Sequence, residues 1–258
     1  MTSTRNALTA RSVVASTLLG THPPALRPAH LVRVGELFGI AEGTIRVALS
    51  RMVAAGELVA DDGRYRLTGR LLERQARQEA SRDPVLVDWD GTWDLRVVVG
   101  EARSADDRTA LRSAAGALGL AERREGLWLR PANLPDGRAP GAEAVVAAQC
   151  ERYRGHPDLD PAVLAAQLWD LAGWVTTADD LRGRMGAVVD RLEAGDPASL
   201  APGFVLAAAV LRHLLADPRL PAELVPDGWP GPALRAEYDR YDVAFRAVLS
   251  AWLRDATR

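Results

Sequence analysis

The chain contains no lysine; all 32 of its basic residues are arginine. With abundant alanine and glycine, this reflects a GC-rich coding genome rather than a particular chemistry. There is one cysteine, Cys150, which excludes an intrachain disulfide and a cysteine metal cluster. The four histidines (His22, His30, His156 and His213) are scattered, and no two stand at a metal-ligand spacing. No G-x-S-x-G, H-E-x-x-H or Walker-type loop occurs. No apolar run reaches the ~20 residues that span a bilayer. Residues 1–10 lack a basic segment followed by an apolar one, so no secretory signal is evident. These absences point to a cytoplasmic protein that is not an enzyme, carries no metal or cofactor and meets no membrane.

What is present suits a soluble, folded chain. Hydrophobic residues make up 48% of 258, enough to bury the cores of two or three domains. The net charge of −2 hides an asymmetry. Residues 1–82 hold 12 arginines against 7 acidic residues, a net of +5, and residues 83–258 hold 20 against 27, a net of −7. A basic head on an acidic body fits a polyanionic partner at the head alone.

The pattern divides the chain into 1–83, 84–155 and 156–258. In the first segment, Ala29–Phe38 is a short helix and Gly39-Ile40 a tight turn. Ala41–Ala55 is a second helix, with Ile45, Ala48, Leu49, Met52 and Val53 as its buried stripe. The face left outside carries Thr44, Arg46, Val47, Ser50 and Arg51, side chains that are short or are arginines. Such a face can approach base edges and phosphates in the major groove. Leu58-Val59-Ala60 and Arg64-Tyr65-Arg66-Leu67 flank Asp61-Asp62-Gly63, the signature of a β-hairpin. Its Arg64, Tyr65 and Arg66 would lie against phosphates or the minor groove. Two helices and a basic hairpin in this order predict a winged helix-turn-helix that binds double-stranded operator DNA.

The middle segment opens with a strand at Trp93–Val99, followed by a helix at Asp106–Leu118. Strands at Leu120–Arg124 and Leu127–Arg130 come next, and a last strand is expected at Ala144–Gln149. That order predicts a small ferredoxin-like α/β sandwich whose second helix is short or missing. The third segment reads as helical. Asp160-Pro161 starts a helix whose Leu164, Leu168 and Leu171 share a face. Further helices are expected at Ala178–Ala194, from about Ala198 or Gly203 to Ala216, and at Ala233–Asp255. The fold class is thus α+β.

Several runs resemble the PaaX family of transcriptional repressors. They are Ala10-Arg11-Ser12-Val13-Val14, Leu18-Leu19-Gly20, Gly35 to Ile40 and Thr44 to Met52 near the start. Trp93-Asp94-Leu95, Leu111-Arg112 and Gly126 to Pro131 follow in the middle. Leu215 to Pro221, Leu224-Val225-Pro226 and Trp229-Pro230-Gly231 lie near the end. The likeness covers nearly the whole chain in order. It implies a repressor of an aromatic-acid catabolic operon, typically phenylacetate, released by an aryl-CoA thioester such as phenylacetyl-CoA. It also implies a middle domain similar to the Cas2 ferredoxin-like fold.

A CoA thioester calls for arginines at its phosphates and apolar or aromatic walls around its acyl group. Arg123, Trp128, Arg130, Trp169, Arg212 and His213 are the candidates for such an effector site. Regulators of this kind read two half-sites, so a homodimer is expected. Two alternatives stand beside this reading. One is a metal-dependent Cas2-like nuclease, for which Glu101, just past the first middle strand, is the nearest acidic residue. The other is a protein-interaction module that does not bind DNA.

Overall fold

The computed structural model describes residues 8–100 and 103–255. The first helices and strands are α1 (Ala10–Leu19), β1 (Ala25–Leu26), α2 (Pro28–Glu36), α3 (Glu42–Ala54), β2 (Leu58–Asp61), β3 (Arg64–Leu67) and α4 (Gly69–Arg82). Next come β4 (Trp93–Val98), α5 (Ala105–Ala117), β5 (Ala121–Arg124), β6 (Leu127–Pro131), α6 (Pro140–Ala147) and β7 (Cys150–Gly155). The remainder is helical: α7 (Pro161–Leu168), α8 (Leu171–Glu193), α9 (Leu200–Leu215) and α10 (Gly231–Asp255). The architecture is mixed α+β, with two small antiparallel sheets. The chain packs as two units. Unit 1 takes residues 1–83, 178–215 and 231–258, and unit 2 takes 84–177 and 216–230.

In unit 1, α1, α2 and α3 pack on one another around Val14, Leu18, Leu31, Ile45, Leu49 and Met52. Thr9 caps α1 by accepting from the Ser12 N–H, which satisfies a free donor of the first turn. On α3 the buried residues are Ile45, Ala48, Leu49 and Met52, the spacing of one helical face. Val53, expected in that stripe, is 37% exposed. It stands about 80° round the helix from Ile45, beyond the width of the contact. Strands β2 and β3 pair from Leu58↔Leu67 to Asp61↔Arg64. The two-residue turn takes positive φ at Asp62 (46°) and Gly63 (66°), the turn whose twist matches a hairpin. Strand β1, which the sequence did not announce, adds to β3 through Ala25↔Arg66 and Leu26↔Tyr65.

The later helices of unit 1 back this arrangement. Arg82 on α4 donates to Asp239 (2.6 Å) and Asp242 (2.9 Å) of α10. Its guanidinium also stands 5.1 Å from the Tyr238 ring centre. Buried Gln75 donates to the Leu19 carbonyl at the end of α1 (3.0 Å). Phe38 packs on Phe204 of α9, ring centres 5.1 Å apart. Arg33 of α2 lies over the Trp252 ring of α10 at 4.3 Å. The segment Pro197–Leu215 has the length and composition to cross a membrane; here Leu200, Phe204, Leu206, Val210 and Leu214 are buried in the unit.

One close approach sets the spacing of α2 and α3. A Cβ at Gly35 would lie 2.8 Å from Ile45 Cγ1 and 2.9 Å from its Cδ1. Gly35→Ala should therefore push the helices apart and cost about 1–3 kcal/mol. A Cβ at Gly43, inside α3, meets nothing within 4 Å, so Gly43→Ala should instead be neutral or stabilising by up to about 1 kcal/mol. Thermal melts of the two variants check this; similar midpoints would show that the contact at Gly35 has no such role.

Unit 2 holds a sheet in the order β5-β6-β4-β7, every pair antiparallel. Successive strand residues face opposite ways, and both faces are covered. On one side α5 and α6 bury Leu111, Ala115, Leu118 and Val146 against Trp128 and Cys150. On the other, Trp93 and Leu129 pack with Leu164, Leu171, Leu220 and Leu224. Trp174 and Trp229 stack with centres 4.3 Å apart and planes 19° apart.

Three sequence expectations are corrected here. The residues expected as a strand at 144–149 form most of α6, and the strand is the following Cys150–Gly155. Pro140 at the first turn and Glu143 near the helix N-terminus favour the helix, so the second helix of the βαββαβ order is present. Leu171 does not extend α7, which ends at Leu168 with an extended Trp169; it opens α8 instead. Helix α8 thus begins seven residues before the expected Ala178. Glu101 lies outside the described residues.

Candidate nucleic-acid interface

The outer face of α3 presents Thr44, Arg46, Val47, Ser50 and Arg51, all exposed, opposite its buried stripe. Arg46 is held by Glu42 one turn earlier (Nε to Oε1, 2.7 Å). Arg51 has no ion pair among the described residues. On the hairpin, Arg64 and Arg66 are exposed, and Arg66 reaches Asp61 at 3.1 Å. Tyr65, expected among the DNA-contacting residues, is half-buried and packs on the unit 1 core. It anchors the hairpin rather than extending it, because the register of β1 and β2 about β3 turns its side inward.

Sequence reasoning missed a second basic group beside the hairpin. Arg27 precedes α2, and His30 sits in its first turn with Arg27, Arg33 and Arg64 as charged neighbours. Burial first, then those three arginines, hold the His30 imidazole below its ordinary range. The spacing 27, 30, 33 is one helix face and was legible as such; the nearness of Arg64 was not. The N-terminus of α2 adds partial positive charge at the same place. Arg11 of α1 donates through Nε and Nη2 to the Glu57 carboxylate, just after α3. This hydrogen bond holds the Glu57 carboxyl below its usual range.

The His30 environment gives a pH signature. Phosphates beside it would favour the protonated ring, so DNA affinity should rise as pH falls through its lowered pKa. A rise of about one unit in the complex corresponds to about tenfold in affinity. Affinity measured from pH 7.5 to 5.5 should show this, and His30→Gln should flatten it; an unchanged slope in the variant would remove His30 from the interface.

Within unit 2 the effector candidates do not gather at one place. Arg123 is exposed on β5, Trp128 is buried under α5 and α6, and Trp169 packs on the opposite core of unit 2. Arg130, only 2% exposed, donates to the carbonyls of Pro131 (3.0 Å), Gly119 (3.2 Å) and Arg219 (3.3 Å). It also donates to Asn133 Oδ1 (2.9 Å). Burial first, then Arg138 and Arg219, lower its pKa to about 9, so it stays charged at neutral pH. Its donors join β6, the turn after α5 and the 217–219 turn. Arg212 (exposed) and His213 (half-buried) lie on α9, in unit 1.

Two family models match the chain. "PaaX-like protein" matches residues 9–71 and "PaaX-like protein C-terminal domain" matches residues 169–254. No curated protein matches. A solved structure, "Uncharacterized protein Rv0674 from Mycobacterium tuberculosis", is 43% identical, with a TM-score of 0.73 over 94% of this chain and 98% of that one. The α1–α3 and hairpin region falls in the first matched segment, and α8 to α10 in the second. The chain therefore belongs to the PaaX-like family, whose members are transcriptional regulators connected with phenylacetate catabolism.

Proposed function

We propose that this protein is a repressor whose first 83 residues form a winged helix-turn-helix reading operator DNA. One observation carries the reading: α3 buries one face and offers Thr44, Arg46, Val47, Ser50 and Arg51 on the other, beside a hairpin bearing Arg64 and Arg66. Helix α3 enters the major groove, the hairpin lies along the backbone, and Arg27 and His30 meet phosphates at the edge. The protein is a regulator rather than an enzyme and acts in the cytoplasm as a homodimer on paired half-sites. The strand order β5-β6-β4-β7 with α5 and α6 on one face supports a ferredoxin-like middle portion. By family likeness, an aryl-CoA thioester, phenylacetyl-CoA first, relieves repression.

Fluorescence anisotropy of the labelled DNA upstream of the protein's own operon tests this, with and without phenylacetyl-CoA at fixed salt. Tight binding that weakens log-linearly with salt and collapses with the thioester is the expected result. Binding indifferent to the thioester removes that effector. Failure to bind this DNA and the flanking promoters removes the repressor.

A further inference from the structure

Unit 1 encloses a cavity of about 70 Å³ between the end of α1 and helices α4, α9 and α10. Phe204, Ala208 and Leu211 of α9 and Phe245 and Leu249 of α10 give it mostly apolar walls. It is about half the size of the ~150 Å³ apolar cavity that holds benzene, so it suits an apolar group of a few carbon atoms. Arg74 of α4 stands in the wall. Around Arg74 are Arg77, Arg212 and Arg11. Arg11 is taken by Glu57; Arg74, Arg77 and Arg212 have no ion pair among the described residues. Other arginines of unit 1 at helix contacts are answered by carboxylates: Arg82 by Asp239 and Asp242, Arg182 by Glu237, Arg240 by Glu193. The one carboxylate in the wall, Asp242, is already taken by Arg82 and Arg246, so Arg74 in the wall and its neighbours Arg77 and Arg212 leave an anionic head as the missing counterpart.

We propose that this cavity binds an amphipathic anion, its compact apolar end between α9 and α10 and its phosphate or carboxylate head on Arg74, with the charges of Arg77 and Arg212 near it. The site is distinct from the outer face of α3. Because α1 both lines the cavity and packs on α3, occupancy bears on DNA affinity; that coupling alone rests on the function proposed above.

Calorimetric titration of the full chain with hexyl phosphate tests the site without DNA. Inorganic phosphate supplies the head alone and 1-hexanol the tail alone. Hexyl phosphate should bind one per chain, at least tenfold tighter than either. Ala208→Leu, which fills the cavity, should reduce its binding to that of phosphate; Arg74→Gln should reduce it to that of hexanol. If Ala208→Leu melts early, Leu211→Phe replaces it. Hexyl phosphate binding no tighter than phosphate, or binding unchanged by the filled cavity in a folded variant, overturns the site. A probe that binds but leaves DNA affinity unchanged overturns the coupling and keeps the site, whereas lack of DNA binding altogether bears only on the repressor reading.

Discussion

Arg51→Ala is expected to weaken operator binding by about 1–3 kcal/mol, roughly 5- to 150-fold. Arg51 is exposed on the outer face of α3 and has no ion pair among the described residues, so its guanidinium is available to a phosphate or a guanine edge. If it meets a phosphate, the loss should be uniform across sequences and the salt slope about one unit shallower. If it reads a base, the slope should hold and discrimination at one position should relax. Arg46→Ala should cost less, because Arg46 is already held by Glu42 at 2.7 Å. Anisotropy at three salt concentrations separates these outcomes. Arg184→Ala on α8, where Arg184 is held by Asp180, controls for the lost charge. Equal losses in the Arg51 and Arg184 variants would mean that α3 has no special part in the contact.

The second large effect is on stability. Arg130→Leu removes the donor set that joins β6, the turn after α5 and the 217–219 turn. The Arg219 carbonyl keeps Asn133 Nδ2 as a donor (2.9 Å), but the Pro131 and Gly119 carbonyls and Asn133 Oδ1 lose theirs, at about 1–3 kcal/mol each before relaxation. A net cost of about 3–5 kcal/mol follows, in line with breaking a buried charged network. For a unit of this size the melting midpoint should fall by roughly 12–25 °C. Arg123→Leu, exposed on β5, should change stability by less than about 0.5 kcal/mol. Calorimetric melts of both variants decide it, and a shift for Arg130→Leu as small as that for Arg123→Leu would refute the structural role.

The same arginine shows where sequence reasoning reached and where it stopped. Its type and its neighbours Leu127, Trp128 and Leu129 suggested a strand next to a ligand. Besides Pro131 and Asn133 nearby, the partners that occupy it lie at 119 and 219, separations that no local pattern reveals. By contrast, α3 and the hairpin were legible because their signals are local: a 3.6-residue stripe from Ile45 to Met52, and an Asp-Gly turn between short strands. Strand β1 escaped because two residues between prolines carry no alternation; they pair only because β3 offers an edge. Segment 140–149 was ambiguous because its alanines and valines suit either state, and the proline and glutamate at its start settled it as helix. Within the candidate face, the inward side of Tyr65 follows from the strand register rather than from local sequence, and His30 was missed because Arg64 comes to it through the fold.

Unit 1 also has a history on the ribosome. The cluster around Leu18, Ile45 and Met52 is complete by Leu71, so the α1–α3 core can close while most of the chain is unmade. Its backing cannot. Phe38 waits for Phe204, and Arg33 for Trp252. At ~5–20 residues per second, Trp252 follows Arg82 by on the order of 10–30 s. For that interval the nascent chain presents a finished α3 face and an unfinished apolar flank. Newly made molecules would need shielding there, by a chaperone or by dilution, before they are safe from one another.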